Sequence, residues 1–277
     1  MEYEVYNESC IEGSKKYIKD NSIDLIFTDP PYGIKGDEIH SVYNRNESKV
    51  VPGYIEVPSN QYCQFSIDWI KECERVLRPG GSIYIISGYT NLHHILNALH
   101  KTNLIQINHL IAQYSFGVST KNKWVSSHYH ILYWAKKDKK NQKRTFNSNW
   151  KYSDQKDSYH DRLSVQILPR DYKPNQIKNK NQLSEKFIDK FIKYSSNKGD
   201  VVLDYFCGSF STGKSALRCG RKFIGFELNK NAYEIFTPLL ENIKVEKELP
   251  PINPDPLELE KRNKLRQSWK LKRKSIK

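Results

Sequence analysis

Ile23-Asp24-Leu25-Ile26-Phe27-Thr28-Asp29-Pro30-Pro31-Tyr32-Gly33-Ile34 decides how the rest of the chain is read. Ile23 to Phe27 is a short apolar, β-branched and aromatic run interrupted only by Asp24, a pattern suited to a central strand of a parallel sheet. Two prolines then end the ladder, because neither can donate a backbone hydrogen bond. Pro30 also drives Asp29 into an extended conformation, and Pro31 does the same to Pro30. The stretch therefore predicts an acid, a carbonyl and an aromatic ring held in fixed relation at the carboxyl end of a strand. In open α/β sheets that edge is where ligands bind. The plain alternative is a Pro-Pro loop with a solvated Asp.

Working outward, Glu2 to Tyr6 reads as a short strand and Glu12 to Lys19 as a helix. Gly33 to Asn60 is polar and reads as a long loop of the kind that is usually functional. The apolar spacing of Ile67, Ile70, Cys73 and Leu77 predicts a helix over 66–77. Arg78-Pro79-Gly80-Gly81 is expected to stop it, with the next strand at 82–87, which makes a βαβ unit. A helix over 91–100 and strands over 104–114 and 130–135 follow. From Lys136 to Lys180 regular pattern gives way to Lys, Asn, Ser, Asp and aromatics (Phe146, Trp150, Tyr152, Tyr159, Tyr172), read as an inserted recognition region. A second βαβ unit is expected from a helix over 183–194, strand 201–204, a glycine turn over 205–213, helix 214–219, strand 223–227 and helix 231–242. The resulting division is 1–135, 136–182, 183–248, and a Pro-rich linker with a basic tail at 249–277.

The net charge of +14 is unevenly spread. Residues 136–180 carry thirteen Lys/Arg against five Asp/Glu, and residues 257–277 carry nine against two. Concentrated basicity of this kind is expected of contacts to a phosphate backbone. The five cysteines form no C-x-x-C pair, and the eight histidines lack the partners a metal site needs, so no metal is expected. With no signal peptide and no long apolar run, the expectation is a cytoplasmic protein without a membrane partner.

Gly208-Ser209-Phe210-Ser211-Thr212-Gly213-Lys214-Ser215 admits two readings. Taken literally it is a phosphate-binding G-x-x-x-x-G-K-S loop, which implies a nucleotide hydrolase built on Lys214. Against that, no apolar strand ending in Asp follows to hold Mg²⁺, and the Asp-Pro-Pro-Tyr stretch is left without a purpose. The other reading is a degenerate G-x-G-x-x-G turn, with Glu227 closing the next strand where an acid binds ribose hydroxyls.

Several segments together resemble the β class of S-adenosylmethionine-dependent DNA amino-methyltransferases. These are residues 6–13, 21–34, Arg75 to Gly81, His130 to Lys136, Leu203 to Ser209 and Gly220 to Glu227. The resemblance implies a Rossmann-like α/β fold, circularly permuted, with a mostly parallel sheet, helices on both faces and an inserted target-recognition region. It implies transfer of a methyl group from S-adenosyl-L-methionine to an exocyclic amine, N6 of adenine rather than N4 of cytosine because the motif carries Asp rather than Ser. The catalytic residues would be Asp29, Pro30, Pro31 and Tyr32. The cofactor site would draw on Ser9, Cys10, Asp29, Asp204, Phe206, Cys207, Gly208, Ser209, Phe210, Glu227 and Leu228. Implied partners are double-stranded DNA, a second copy forming a homodimer, and a cognate restriction endonuclease. Three departures stand out, the first being Asn181-Gln182-Leu183-Ser184 in place of the family's Q-K-P-like stretch. Phe210 occupies the place of the family's second turn glycine, where a bulky side chain is expected to crowd the methionine end of the cofactor, and Ser9 stands where many members have Asp. Both also suggest a DNA-binding protein with impaired cofactor binding.

Overall fold

In the computed structural model, β2 (Ile23–Thr28) is the middle of the molecule. The structure describes residues 2–33, 51–53, 55–115, 120–148, 152–153, 155, 157–169, 183–246, 260 and 264. The strands are β1 (Tyr3–Tyr6), β2, β3 (Leu77–Ser87), β4 (Ile105–Gln113), β5 (His128–Ala135), β6 (Val165–Ile167), β7 (Val201–Asp204) and β8 (Lys222–Phe226). They form one sheet in the order β1-β8-β7-β2-β3-β5-β4-β6. Neighbours are parallel except where β5 pairs with β3 and β4, so β5 alone runs against the other strands.

The two faces of β2 explain its composition. Leu25 and Phe27 join a core with Phe187, Ile188, Phe191 and Ile192 of α5 (Glu185–Ser195) and Ala216 and Leu217 of α6 (Ser211–Arg218). Ile26 joins the opposite core with Trp69, Ile70 and Cys73 of α2 (Tyr62–Val76), and Ile95, Ala98 and Leu99 of α3 (Leu92–His100). Helix α1 (Cys10–Tyr17) lies on the α2 side and α7 (Lys230–Phe236) on the α6 side. A strand buried on both faces needs apolar residues at successive positions, which is what the run supplies. Asp24, the exception, is spent on the sheet itself. It pairs with Arg78 at the start of β3 and accepts the Val201 N–H of β7 at 2.9 Å, tying three strands together.

Three elements depart from expectation. Arg78-Pro79-Gly80-Gly81 does not stop the chain before β3 but is the bulged beginning of that strand. Ile23 pairs with Leu77 and Leu25 with Ser82, so the intervening residues loop out, with Gly80 at φ +75°. The segment after Lys136 is more regular than its composition suggests. It holds the short helix α4 (Ser158–Asp161) and β6, which pairs with the sheet edge. Its aromatics Phe146 and Tyr152 pack on Tyr194 of α5, with ring centroids at 5.4 and 4.6 Å. The predicted last helix ends early at Phe236 and continues as a 3-10 turn over Thr237–Leu240, where Pro238 interrupts the α pattern. Trp150, Tyr172, most of the loop over 33–60 and nearly all of the tail lie outside the described residues.

Because the strands flanking β2 are parallel to it, the carboxyl ends of β2, β7, β8 and β1 open on one edge. From β2 the chain crosses through α2 to β3 on one side; from β7 it crosses through α6 to β8 on the other. The space between β2 and β7 is thus a topological switch point, the place where open α/β sheets leave a crevice.

Candidate active site

A cavity fills that crevice. Its wall includes Asp29 to Tyr32 from the end of β2, Asp204 to Ser209 from the end of β7, and Phe226 to Asn229 from the end of β8. Glu8, Ser9 and Cys10 enter from the β1–α1 junction, Phe65 from α2, and Leu183 and Ile188 from the α5 region.

The Asp29–Tyr32 loop is clamped from two helices. The Tyr62 hydroxyl, at the start of α2, donates to the Pro31 carbonyl at 2.8 Å. The Asn91 amide, capping α3, donates to the carbonyls of Tyr32 (2.6 Å) and Gly33 (3.2 Å). Glu56 accepts the Gly33 N–H at 2.7 Å, and Gly33 itself turns at φ +66° where a Cβ would strike the Tyr62 ring. Among the described residues the Pro30 carbonyl takes no hydrogen bond, although those of Pro31 and Tyr32, which follow it, do. The Tyr32 hydroxyl donates to Asp29 Oδ1 at 2.8 Å, which among the described residues leaves Oδ2 open. Burial pushes the Asp29 carboxyl up to about 7; the Tyr32 hydroxyl opposes the rise and Asp204 adds to it.

Asp204, the last residue of β7, accepts the Thr28 hydroxyl at 2.8 Å and the Phe206 N–H at 3.0 Å. It thereby ties the end of β7 to the end of β2. Burial lifts its carboxyl to about 6 against the Phe206 N–H and the Thr212 and Thr28 hydroxyls. Glu227 holds the glycine turn. Its Oε2 accepts the Gly208 N–H at 2.6 Å and its Oε1 accepts the Asn229 N–H at 2.7 Å. Burial raises it to about 7, opposed by those two N–H groups and helped by Asp204. Phe206 stands edge-on to Trp69 at 5.4 Å and beside Phe65 at 5.9 Å, forming an aromatic wall.

Of the residues predicted for the site, all line this cavity except Phe210. The crowding expected of Phe210 does not occur. It adopts the left-handed conformation (φ 57°, ψ 30°) at the start of α6, which turns its fully buried ring into the core beside Tyr233. Lys214 is also absent from the cavity wall. Its ammonium lies 3.9 Å from Glu185 and over the Phe236 ring, so it does not cradle the loop as a phosphate-binding lysine does. Gly213 is required for a different reason, since a Cβ there would meet the Phe223 ring at 2.6 Å; it lets α6 close on β8. Leu228 lies on the rim, about half exposed. Missed from the sequence were Thr28, Glu56, Tyr62, Phe65, Asn91 and Thr212. Thr28 had a local signal, as the last strand residue before Asp29. Thr212 lay within the glycine turn itself, while Glu56, Tyr62, Phe65 and Asn91 reach the site from distant segments.

The donor set has a clear ligand preference. Three buried carboxyls around one cavity, each raised by desolvation, favour a ligand that brings positive charge. The aromatic wall favours a flat ring, and the Gly208 turn allows close approach to the backbone. S-adenosyl-L-methionine, a sulfonium carrying an adenosine and an ammonium, fits that set.

Comparison with known proteins agrees. The family model for DNA methylase, covering N6 and N4 enzymes, matches residues 23–238. The Type II methyltransferase M.BamHI of Bacillus amyloliquefaciens is 31% identical over 268 residues, covering 88% of this chain and 58% of that protein. The chain thus spans a little over half the length of that relative. The DNA adenine methyltransferase YhdJ of Escherichia coli (strain K12) is 33% identical over 238 residues, 77% of this chain and 74% of that one. Among solved structures, the M1.HpyAVI complex with S-adenosylmethionine superposes with a TM-score of 0.61 at 21% identity, covering 86% of this chain and 99% of that one. The cytosine-N4-specific PvuII DNA methyltransferase does so with a TM-score of 0.65 at 15% identity, covering 87% and 88%. At those identities the likeness establishes the fold.

Proposed function

The chain belongs to the DNA methylase family of N6 and N4 amino-methyltransferases, and from that premise we propose that it methylates the exocyclic N6 of an adenine flipped out of double-stranded DNA, using S-adenosyl-L-methionine. The observation that carries this reading is the pairing of an open Asp29 oxygen with an unengaged Pro30 carbonyl on one wall of a cavity whose other walls hold Asp204 and Glu227. The order of the two halves, Asp29 before Glu227, supports the permuted β class.

The cofactor, when bound, supplies an electrophilic methyl group. Glu227 would hold its ribose, Phe206 its adenine, Gly208 its methionine chain and Asp204 its ammonium. The chain's own contribution is to the nucleophile. An exocyclic amine is a poor one because its lone pair is conjugated into the base. Asp29 Oδ2 would accept one N–H and the Pro30 carbonyl the other, which favours a tetrahedral nitrogen with its lone pair free. Both acceptors are preorganised: Asp29 by Tyr32, the loop by Tyr62 and Asn91. They stabilise the positive charge that develops on nitrogen. Fixing the amine in line supplies much of the remaining rate. Tyr32 would stack on the flipped base, contributing ~1–3 kcal/mol as other base–aromatic stacks do.

Asp at position 29, together with the adenine methyltransferase YhdJ among the relatives, supports adenine over cytosine. The deciding experiment is incubation with S-adenosyl-L-methionine and unmethylated plasmid, followed by mass analysis of the nucleosides. N6-methyladenine is expected. N4-methylcytosine would move the assignment to the alternative amine, and no modified base would remove it.

A further inference from the structure

The β4–β5 connection lies beside the active site and carries a side chain that no part of the fold explains. Strand β4 ends at Gln113 opposite His128, and Tyr114 N–H bonds to the Ser127 carbonyl at 2.8 Å, extending the ladder by one step. Because Ser87, the carboxyl end of β3, pairs with His130, this turn emerges on the same edge as Asp29. An aromatic path links the two: Tyr32 lies 6.1 Å from Tyr129, and Tyr129 lies 4.9 Å from Tyr114. Beyond them, Trp124 is 95% exposed, the most exposed of the large apolar side chains among the described residues, with Val125 at 43%. Lys121 and Lys123 precede it and are exposed. The hydroxyl of Thr120 donates to the Lys123 carbonyl, which turns the backbone of this segment on itself. Only three residues lie between Trp124 and the strand end, so it lies within roughly 13 Å of His128.

Leaving an indole in water forfeits the burial that places Trp inside most folds. Just after two lysines, on the sheet edge that carries the pocket proposed to receive a flipped base, its chemistry matches a nucleic-acid surface: base faces for the ring, phosphates for the ammonium groups. Resting on the DNA-methylating reading above, we infer that Thr120–Ser127 is a duplex-contacting element, in which Trp124 stacks on or wedges beside the bases next to the flipped position and Lys121 and Lys123 hold the flanking phosphates. Trp124 is then a positioning residue: it lowers the cost of keeping the target base out of the stack without touching the reacting atoms.

The test uses the full chain and a labelled pool of random-sequence duplexes, with binding followed by anisotropy and tryptophan emission. Trp124→Ala is expected to weaken duplex binding roughly tenfold and to lose part of the emission quench seen on binding. Trp124→Phe should recover most of the affinity, which a merely structural role does not predict. The double variant Lys121→Ala/Lys123→Ala should lower the slope of log affinity against log salt by about two. Affinity for S-adenosyl-L-methionine, measured by calorimetry, should stay unchanged in all three, which shows that the cavity is intact. Duplex binding within twofold of wild type in Trp124→Ala, or an unchanged salt slope, would overturn the inference. Weakened binding in these variants with no methylated base from the wild type would instead retain this surface and remove the enzymatic reading.

Discussion

At Asp29 the fold and the proposed chemistry make opposite demands. Burial raises its carboxyl to about 7, yet acceptance of an amine proton and stabilisation of positive charge call for the ionised form. Methyl transfer should therefore fall as pH drops through about 7, and a pH–rate profile in single turnover checks this; a profile flat from pH 6 to 8 would contradict it. Asp29→Ala should abolish turnover while S-adenosyl-L-methionine still binds. Phe210 gives a prediction of the other kind. Its ring is wholly buried in the core, so Phe210→Gly should cost ~2–4 kcal/mol of stability, with the relief of a left-handed backbone offsetting part of the cavity. Calorimetry on that variant should find cofactor affinity unchanged. What was legible at this scale were side chains at strand ends, Asp29, Asp204 and Glu227, because strand termini are marked locally by prolines, glycines and the end of an apolar run. Tyr62, Asn91 and Glu56 were not, since each reaches the Asp29 loop from another segment, and no local pattern records which carbonyl a distant hydroxyl or amide will meet.

At the scale of elements, the informative cases are those where composition misled. Pro79-Gly80-Gly81 reads as a stop but is a bulge, tolerated because Gly80 takes a positive φ and its N–H bonds to the Lys136 carbonyl. Strand β6, only three residues long, has no period to detect. It is held from behind by Asp161, whose buried carboxylate accepts the Tyr194 hydroxyl at 2.6 Å and the Tyr152 N–H at 2.8 Å and pairs with Lys190 at 2.8 Å. These partners hold the carboxyl below the usual range against its burial. Asp161→Ala leaves Lys190 in a buried place without its countercharge, and should cost ~3–5 kcal/mol. Hydrogen exchange should show β6 losing protection while β2 keeps most of its own; equal loss in both would mean that the segment does not open separately.

For the whole molecule, one sheet explains both the stability and the site. The order β8-β7-β2-β3 places the switch point where two half-units, far apart in sequence, meet, and the acids gathered there are a burden on the unliganded fold. Asp29, Asp204 and Glu227 all hold protons in the folded state at pH values where the unfolded chain has released them. Their contribution to stability is therefore present below about pH 4 and is lost as pH rises through about 6 to 7. Between pH 5.5 and 8 the unliganded protein should lose melting temperature from this source. Asp29→Asn/Glu227→Gln should flatten that dependence, which thermal scans across the window would show. A bound cation should recover part of the loss in the wild type. The central claim, that Asp29 and the Pro30 carbonyl activate an adenine amine beside a sulfonium, is tested most directly by following the methyl itself. Wild type and Asp29→Ala would be incubated with S-adenosyl-L-methionine deuterated at the methyl group and unmethylated plasmid, and the nucleosides weighed. The account predicts deuterated N6-methyladenine from the wild type and none from Asp29→Ala, whereas label on another base, or equal label with the variant, would contradict it.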